Sequence, residues 1–292
     1  MYHDLEPLTR LLRVELTAVH QQFFHMLALR QWKYEEAYLR VTGIDKEDFQ
    51  NAMQIIDHLV SEKQPIELPA HRFFPGSDLP SLLHAEHHME MCITEVLGRI
   101  DVVGSEALAK VDRAAAPRPD YQFWLNGQIA GLDTEGKLHR TNVSMAEFTA
   151  AMMALIEQSM LHAFYYWHAN RLTEADNFWR ISGAAMLYGT ALVRRGALMD
   201  ALPTPGTIVS VEMQEDLQDA FHSDRHLVQQ CARLARAAAN DEKDEATRRI
   251  CLRIADDCSL IENMKIDGDF PAIFGRSKVF ESFAATRERH LS

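Results

Sequence analysis

A chain of 292 residues, 47% of them hydrophobic and 25% charged, is long enough for one large or two ordinary globular domains. Its formal net charge of −12 argues against nucleic acid or an anionic membrane as a partner. Its apolar runs fall far short of a membrane span, and Met1 to Pro7 show no basic region followed by an apolar run, so neither a membrane anchor nor a signal peptide is expected. The four cysteines, at 92, 231, 251 and 258, have no metal-binding spacing and read as reduced thiols of a cytoplasmic protein.

Helical periodicity dominates throughout, so the expected class is all-α. The first predicted helix runs from about Leu5 to Arg40 and ends near Gly43. Glu15 stands in the middle of its apolar stripe, among Leu8, Leu11, Leu12, Val19, Phe23 and Met26. A carboxylate so placed must be protonated, paired or bound to a metal. His20 lies about 140° around the helix from Glu15, which suits a hydrogen-bonding neighbour rather than a co-ligand. A second helix over roughly 46–64 is expected, capped by Asp45 and stopped by Pro65, with no acid in its stripe of Phe49, Ala52, Met53, Ile56 and Val60.

After a loop rich in Pro and Phe, a third helix over about 81–103 carries His84-Ala-Glu-His-His-Met-Glu90. Glu86, His87 and Glu90 share its apolar face with Leu79, Leu83 and Ile93. Two carboxylates and an imidazole within a turn of each other, opposite Glu15, make a candidate metal cluster. Residues 105–143 read as a linker or crossover, with a short helix over about 105–115. Tyr121, Phe123 and Trp124 suggest that this stretch docks on the rest of the protein.

Ser144-Met-Ala-Glu147 is a capping-box pattern for a helix over about 145–171. That helix repeats the layout of the first, 142 positions on: Glu157 is followed five residues later by His162, as Glu15 is by His20. Helices over about 173–201, 211–239 and 245–266 follow, with Asp224 and Asp257 in the apolar stripes of the last two. Glu157, Asp224 and Asp257 therefore form a second candidate metal set, one acid per helix. Arg194, Arg225 and Arg253 are the cations that could pair with them instead. The aromatic set Tyr165, Tyr166, Trp167 and Trp179 reads either as a pocket wall or as plain core.

Glu15-Leu-Thr-Ala-Val-His-Gln-Gln-Phe-Phe-His25, with Trp32 soon after, resembles the first helix of bacterioferritin, and Glu157 to His168 resembles it more loosely. The resemblance implies a ferritin-like four-helix-bundle architecture in two fused helical halves: 1–104, the segment 105–143, 144–270, and a tail 271–292. The family's dimetal site takes a Glu from the first helix, a Glu-x-x-His from the second, a Glu from the third and a Glu-x-x-His from the fourth. Carried over, the first-helix Glu falls on Glu15 and Glu157, and the third-helix Glu on Glu90 and Asp224. The second-helix pair falls on Ala52 and Ile55, and on Ala185 and Tyr188, which are not ligands. The fourth-helix motif lacks its His near Asp257, and the first half shows no clear fourth helix. Met53 and Met186 fall where the family has a haem-ligating Met; a Met on an apolar helix face is ordinarily core, and haem is not expected.

The function expected from this reading is a non-haem iron or manganese oxidoreductase that activates O₂ or peroxide and acts on a small-molecule substrate. Its metal ligands would come from Glu15, Glu86, His87, Glu90, Glu157, Asp224 and Asp257. Two alternatives stand beside it: a non-catalytic, degenerate ferritin-like scaffold that binds a partner, and a metal-free helical enzyme using Glu15 or Glu157 as a general base. A homodimer is the oligomeric state considered, and a ferritin cage is not expected from a fused chain.

Overall fold

The computed structural model describes residues 6–63, 65–72, 75–76, 78–100, 118–130, 143–199, 202–203 and 205–262. The expected short helix at 105–115 and the tail lie outside them. The protein is mostly helical, as expected. Among the described residues the order is α1 (Glu6–Gln31), α2 (Glu35–Ser61), β1 (Glu67–Leu68), α3 (Leu79–Ile100), α4 (Pro119–Ala130), α5 (Val143–His168), α6 (Leu172–Leu198), β2 (Val211–Glu212), α7 (Leu217–Asp241) and α8 (Glu245–Glu262). None of these helices is long and apolar enough to cross a membrane.

The expected first helix is in fact two. The chain turns at Trp32 to Tyr34, where Lys33 takes a left-handed φ of 65°. The Tyr34 amide then reaches back to the Leu29 carbonyl at 2.9 Å, which closes the helix end without a glycine. The same geometry ends α5: Asn170 has φ 59° and the Arg171 amide reaches the Tyr166 carbonyl at 2.8 Å. Gly43 and Asp45 are consequently interior positions of α2, not a stop and a cap. The expected seventh helix also starts late. Val211 and Glu212 form β2, and Asp216 caps α7 by accepting from the amides of Gln218 and Asp219 at 2.8 and 3.2 Å. Ser144 lies inside the first turn of α5, where its hydroxyl donates to Asp241 on α7 instead of forming a capping box.

Helix α1 packs on α2 and α3, and α3 on α4; α5 packs on α6 and α7, and α7 on α8. These two sets meet where α1 lies against α6, where α2 lies against α5, and at the ribbon of β1 and β2. Ribbon pairing is antiparallel, Glu67 with Glu212 and Leu68 with Val211, and it extends to a bridge between His71 and Ile208. Buried apolar side chains from all eight helices join in one continuous core.

Two helices run through the middle of that core. Every residue from Glu15 to Gln22 of α1 is buried, as is every residue from Phe148 to Phe164 of α5. A helix covered on all sides is normally apolar all round. Helix α1 instead buries Arg13, Glu15, His20, Gln21, Gln22 and His25. These polar groups must find partners in the interior, and they organise the candidate site.

Candidate functional site

Three polar clusters lie along α1 and α5. The first is a carboxylate nest between α1, α2, α3 and α4. Glu15, Asp48, Glu86 and Glu90 are all buried there. Arg118, just before α4, is their cation: it donates to Glu90 Oε1 at 2.9 Å and to Asp48 Oδ1, and its Nε lies 3.5 Å from Glu47. Gln22 Nε2 donates to Asp48 Oδ2 at 2.7 Å. Glu86 is held by two neutral-capable donors, His25 Nδ1 and the Tyr121 hydroxyl, the latter at 2.9 Å. Tyr121 is thus how the segment after residue 117 docks, with Trp124 Nε1 donating to Glu36 at 3.2 Å; Phe123 faces solvent.

Glu15 is the exception within the nest, for neither of its carboxylate oxygens has a hydrogen bond of normal geometry. Burial raises its pKa to about 7, against smaller opposing effects of Arg118 and of the Asn51 amide. Glu90 rises to about 8, first through burial and then through Glu86, Glu15 and Glu47, so its contact with Arg118 does not compensate. Asp45 rises to about 7 through burial and the charge of Glu86. Burial is the main cause of all three shifts, and neighbouring carboxylates add to it at Glu90 and Asp45.

The second cluster joins α1, α5 and the chain beside the ribbon. Arg13 clasps Glu157 with two hydrogen bonds, Nη1 to Oε1 at 2.7 Å and Nη2 to Oε2 at 2.8 Å. Its Nη1 also donates to His71 Nδ1 at 2.8 Å. His20 Nδ1 lies 3.3 Å from Glu157 Oε1, and the two imidazoles stack with centroids 6.4 Å apart. Burial would raise the Glu157 pKa, but Arg13, His20 and His71 together lower it, so Glu157 is an anion. Burial lowers both imidazoles, His71 to about 3, so both are neutral at physiological pH. His20 also borders an apolar cavity of about 30 Å³ between α1, α2, α5 and α6, walled by Phe23, Phe49, Met153, Trp179 and Met186. That is room for one or two waters.

The third cluster is built on Asp224. It accepts from Ser159 Oγ at 2.5 Å and from His162 Nδ1 at 2.8 Å. The other nitrogen of His162 accepts from the Gln214 amide at 3.1 Å, which fixes the ring and ties α7 and the chain after β2 to α5. With both imidazole nitrogens engaged, this cluster reads as a buried structural clasp.

The expected sites are therefore partly regrouped. Glu15 and Glu86 do lie close enough to Glu90 to raise its pKa. His87 sits half-buried beside them, but the imidazole that touches Glu86 comes from His25 on α1. Consecutive helix residues point about 100° apart, so Glu86 and His87 do not aim at one spot. Glu157, Asp224 and Asp257 do not gather: Glu157 pairs with Arg13, Asp224 with His162 and Ser159, and Asp257 with Arg253 one turn away at 3.1 Å. Among the described residues, three ligand atoms come within 4.8 Å of one another at His20, His71 and Glu157.

Sequence reasoning missed Asp48, Asn51, Arg13, His71 and Arg118. Asp48 and Asn51 were legible in principle, since they continue the Ala52, Ile55 and Leu59 face at helical spacing. Arg13 and His71 carry no such signal, because they meet across 58 positions of chain. Met53 packs into the core and Met186 borders the cavity. Comparison with known proteins adds no identity: no family model, curated protein or solved structure matches the chain.

Proposed function

We propose that this chain is a non-haem iron or manganese oxidoreductase on a ferritin-like scaffold of two fused helical halves. Its metal position is the nest of Glu15, Asp48, Glu86 and Glu90. The observation that carries this reading is Glu15: a fully buried carboxylate neither of whose oxygens has a hydrogen bond of normal geometry, in a nest with more acids than cations. An unpaired buried charge of this kind costs several kcal/mol unless a proton or a cation joins it.

The donor set fits such an ion, since hard oxygen ligands with an adjacent imidazole suit iron or manganese. Arg118 already offsets one of the four charges, which favours one divalent ion over two. Where the resemblance puts Ala52 and Ile55 on the second helix, the acid and amide that reach the nest stand one turn earlier, Asp48 and Asn51 on α2, so the family's Glu-x-x-His is not reproduced. The helix order within each set, the two matching left-handed helix ends and the antiparallel ribbon between the sets support fused halves.

When bound, iron or manganese supplies redox chemistry toward O₂ or peroxide. The chain's own residues do the rest. Glu15 and Glu90, with pKa values raised to about 7 and about 8, would give up their protons near neutral pH to hold the ion. His25 and Tyr121 hold Glu86 in place, and Gln22 holds Asp48.

A second reading is favoured by Arg118, whose guanidinium already bridges Asp48 and Glu90. In it the guanidinium has replaced the metal and the chain is a scaffold. Anaerobic titration of chelator-treated protein with Fe(II) or Mn(II), followed by O₂ uptake, separates the two. The oxidoreductase reading expects tight binding that Glu90→Ala abolishes. The scaffold reading expects no binding, and Arg118→Ala to destabilise the protein without admitting metal.

A further inference from the structure

The cluster at His20, His71 and Glu157 is separate from the nest and is assigned nothing by the proposal above. Its three side chains come from different segments: His20 from the middle of α1, Glu157 from the middle of α5, and His71 from the strand bridge that extends the ribbon. Each offers one ligand atom, and these atoms lie within 4.8 Å of one another. His20 and Glu157 are buried, while His71 is partly exposed and provides a way in from solvent.

We propose that His20, His71 and Glu157 form a second metal site, nitrogen-rich and suited to zinc or another late first-row divalent ion, in which the Arg13 guanidinium marks the ion's place. Two imidazoles and one carboxylate are a borderline-soft donor set, unlike the oxygen donors of the nest. Arg13 Nη1 stands 2.7 Å from Glu157 Oε1 and 2.8 Å from His71 Nδ1, so positive charge is already stabilised between these two donors. The ion takes that position from Nη1. The two Nη atoms share one carbon in a rigid plane, so the guanidinium swings aside as a unit and Nη2 also leaves its place 2.8 Å from Oε2. Bound there, the ion ties α1 and α5 to the ribbon.

Cobalt(II) is the probe. Full-length protein, stripped with chelator, is titrated with Co(II) and read by visible d–d absorption, then challenged with Zn(II). The titration is run in a Glu90→Ala background, where the nest is disabled, so that the band read there belongs to this site alone and failure of one site leaves the other standing. In that background the expected result is a band that Zn(II) removes and an affinity lowered ~10-fold or more by adding His71→Ala. The His71 side chain is only 9% exposed, so its alanine variant is first shown to keep the parent's circular dichroism before it is titrated. Arg13→Gln is the second variant: it should bind Co(II) more tightly than the parent, and zinc should restore the thermal stability that the substitution removes. Absence of the band, an unchanged affinity in His71→Ala, or a destabilised Arg13→Gln protein that zinc does not restore would overturn the proposal.

Discussion

Replacing Glu15 by Gln tests the charge imbalance of the nest in isolation. The folded pKa of Glu15 is raised from an ordinary 4.5 to about 7. The folded protein therefore holds this proton more tightly than the unfolded chain does. The resulting stability is full at pH below the unfolded value and is lost as pH rises through about 7. At about 1.4 kcal/mol per pKa unit, the loss is roughly 3 kcal/mol across that window. Gln has nearly the same shape and no charge, and its amide oxygen can keep the contact that the Asn51 amide makes with Glu15. In chelator at pH about 8, the variant should be roughly 2–3 kcal/mol more stable than the parent, and near pH 4 the two should converge. Urea denaturation across this pH range measures it directly. Glu90 titrates in the same nest, so the parent's total slope exceeds the share of Glu15, and the difference between the two proteins is the quantity to read. Parallel stability curves for parent and variant would refute the argument that Glu15 is an unpaired buried acid.

Three other outcomes follow from the packing. Arg13→Met leaves Glu157 buried without its guanidinium and should cost about 3–5 kcal/mol in urea denaturation, with part recovered when Glu157→Gln is added. Lys33→Gly should stabilise by up to about 1 kcal/mol, since φ 65° strains a side chain and not glycine; Asn170→Gly should gain less, because Asn tolerates that region. Asp216→Ala removes both acceptors at the start of α7 and should cost about 1 kcal/mol, seen also as faster amide exchange at Gln218 and Asp219.

Glu15 and Glu157 were legible in the sequence because a lone acid in an apolar helical stripe has few physical explanations. The stripe could not show which cation meets each acid. Glu157 finds Arg13 across 144 positions, a contact set by how α1 crosses α5. Asp48 was hidden by a wrong helix start: with α2 beginning at Glu35, Asp48 is an interior position facing α1, not part of a first turn. The early start itself was obscured because Lys33 ends α1 in a conformation usually given to glycine. Arg118 was read as loop, and its role depends on α4 returning to pack on α3. Mostly helical character rests on local periodicity and was read from it; the short β1–β2 ribbon and the pairing of buried charges rest on tertiary geometry and were not.

Anomalous diffraction from crystals soaked in Mn(II) or Fe(II) tests the central claim most directly. A peak among the carboxylates of Glu15, Glu86 and Glu90, with Arg118 drawn back, is the predicted result. No peak there, with the Arg118 guanidinium still bridging Asp48 and Glu90, would contradict the account.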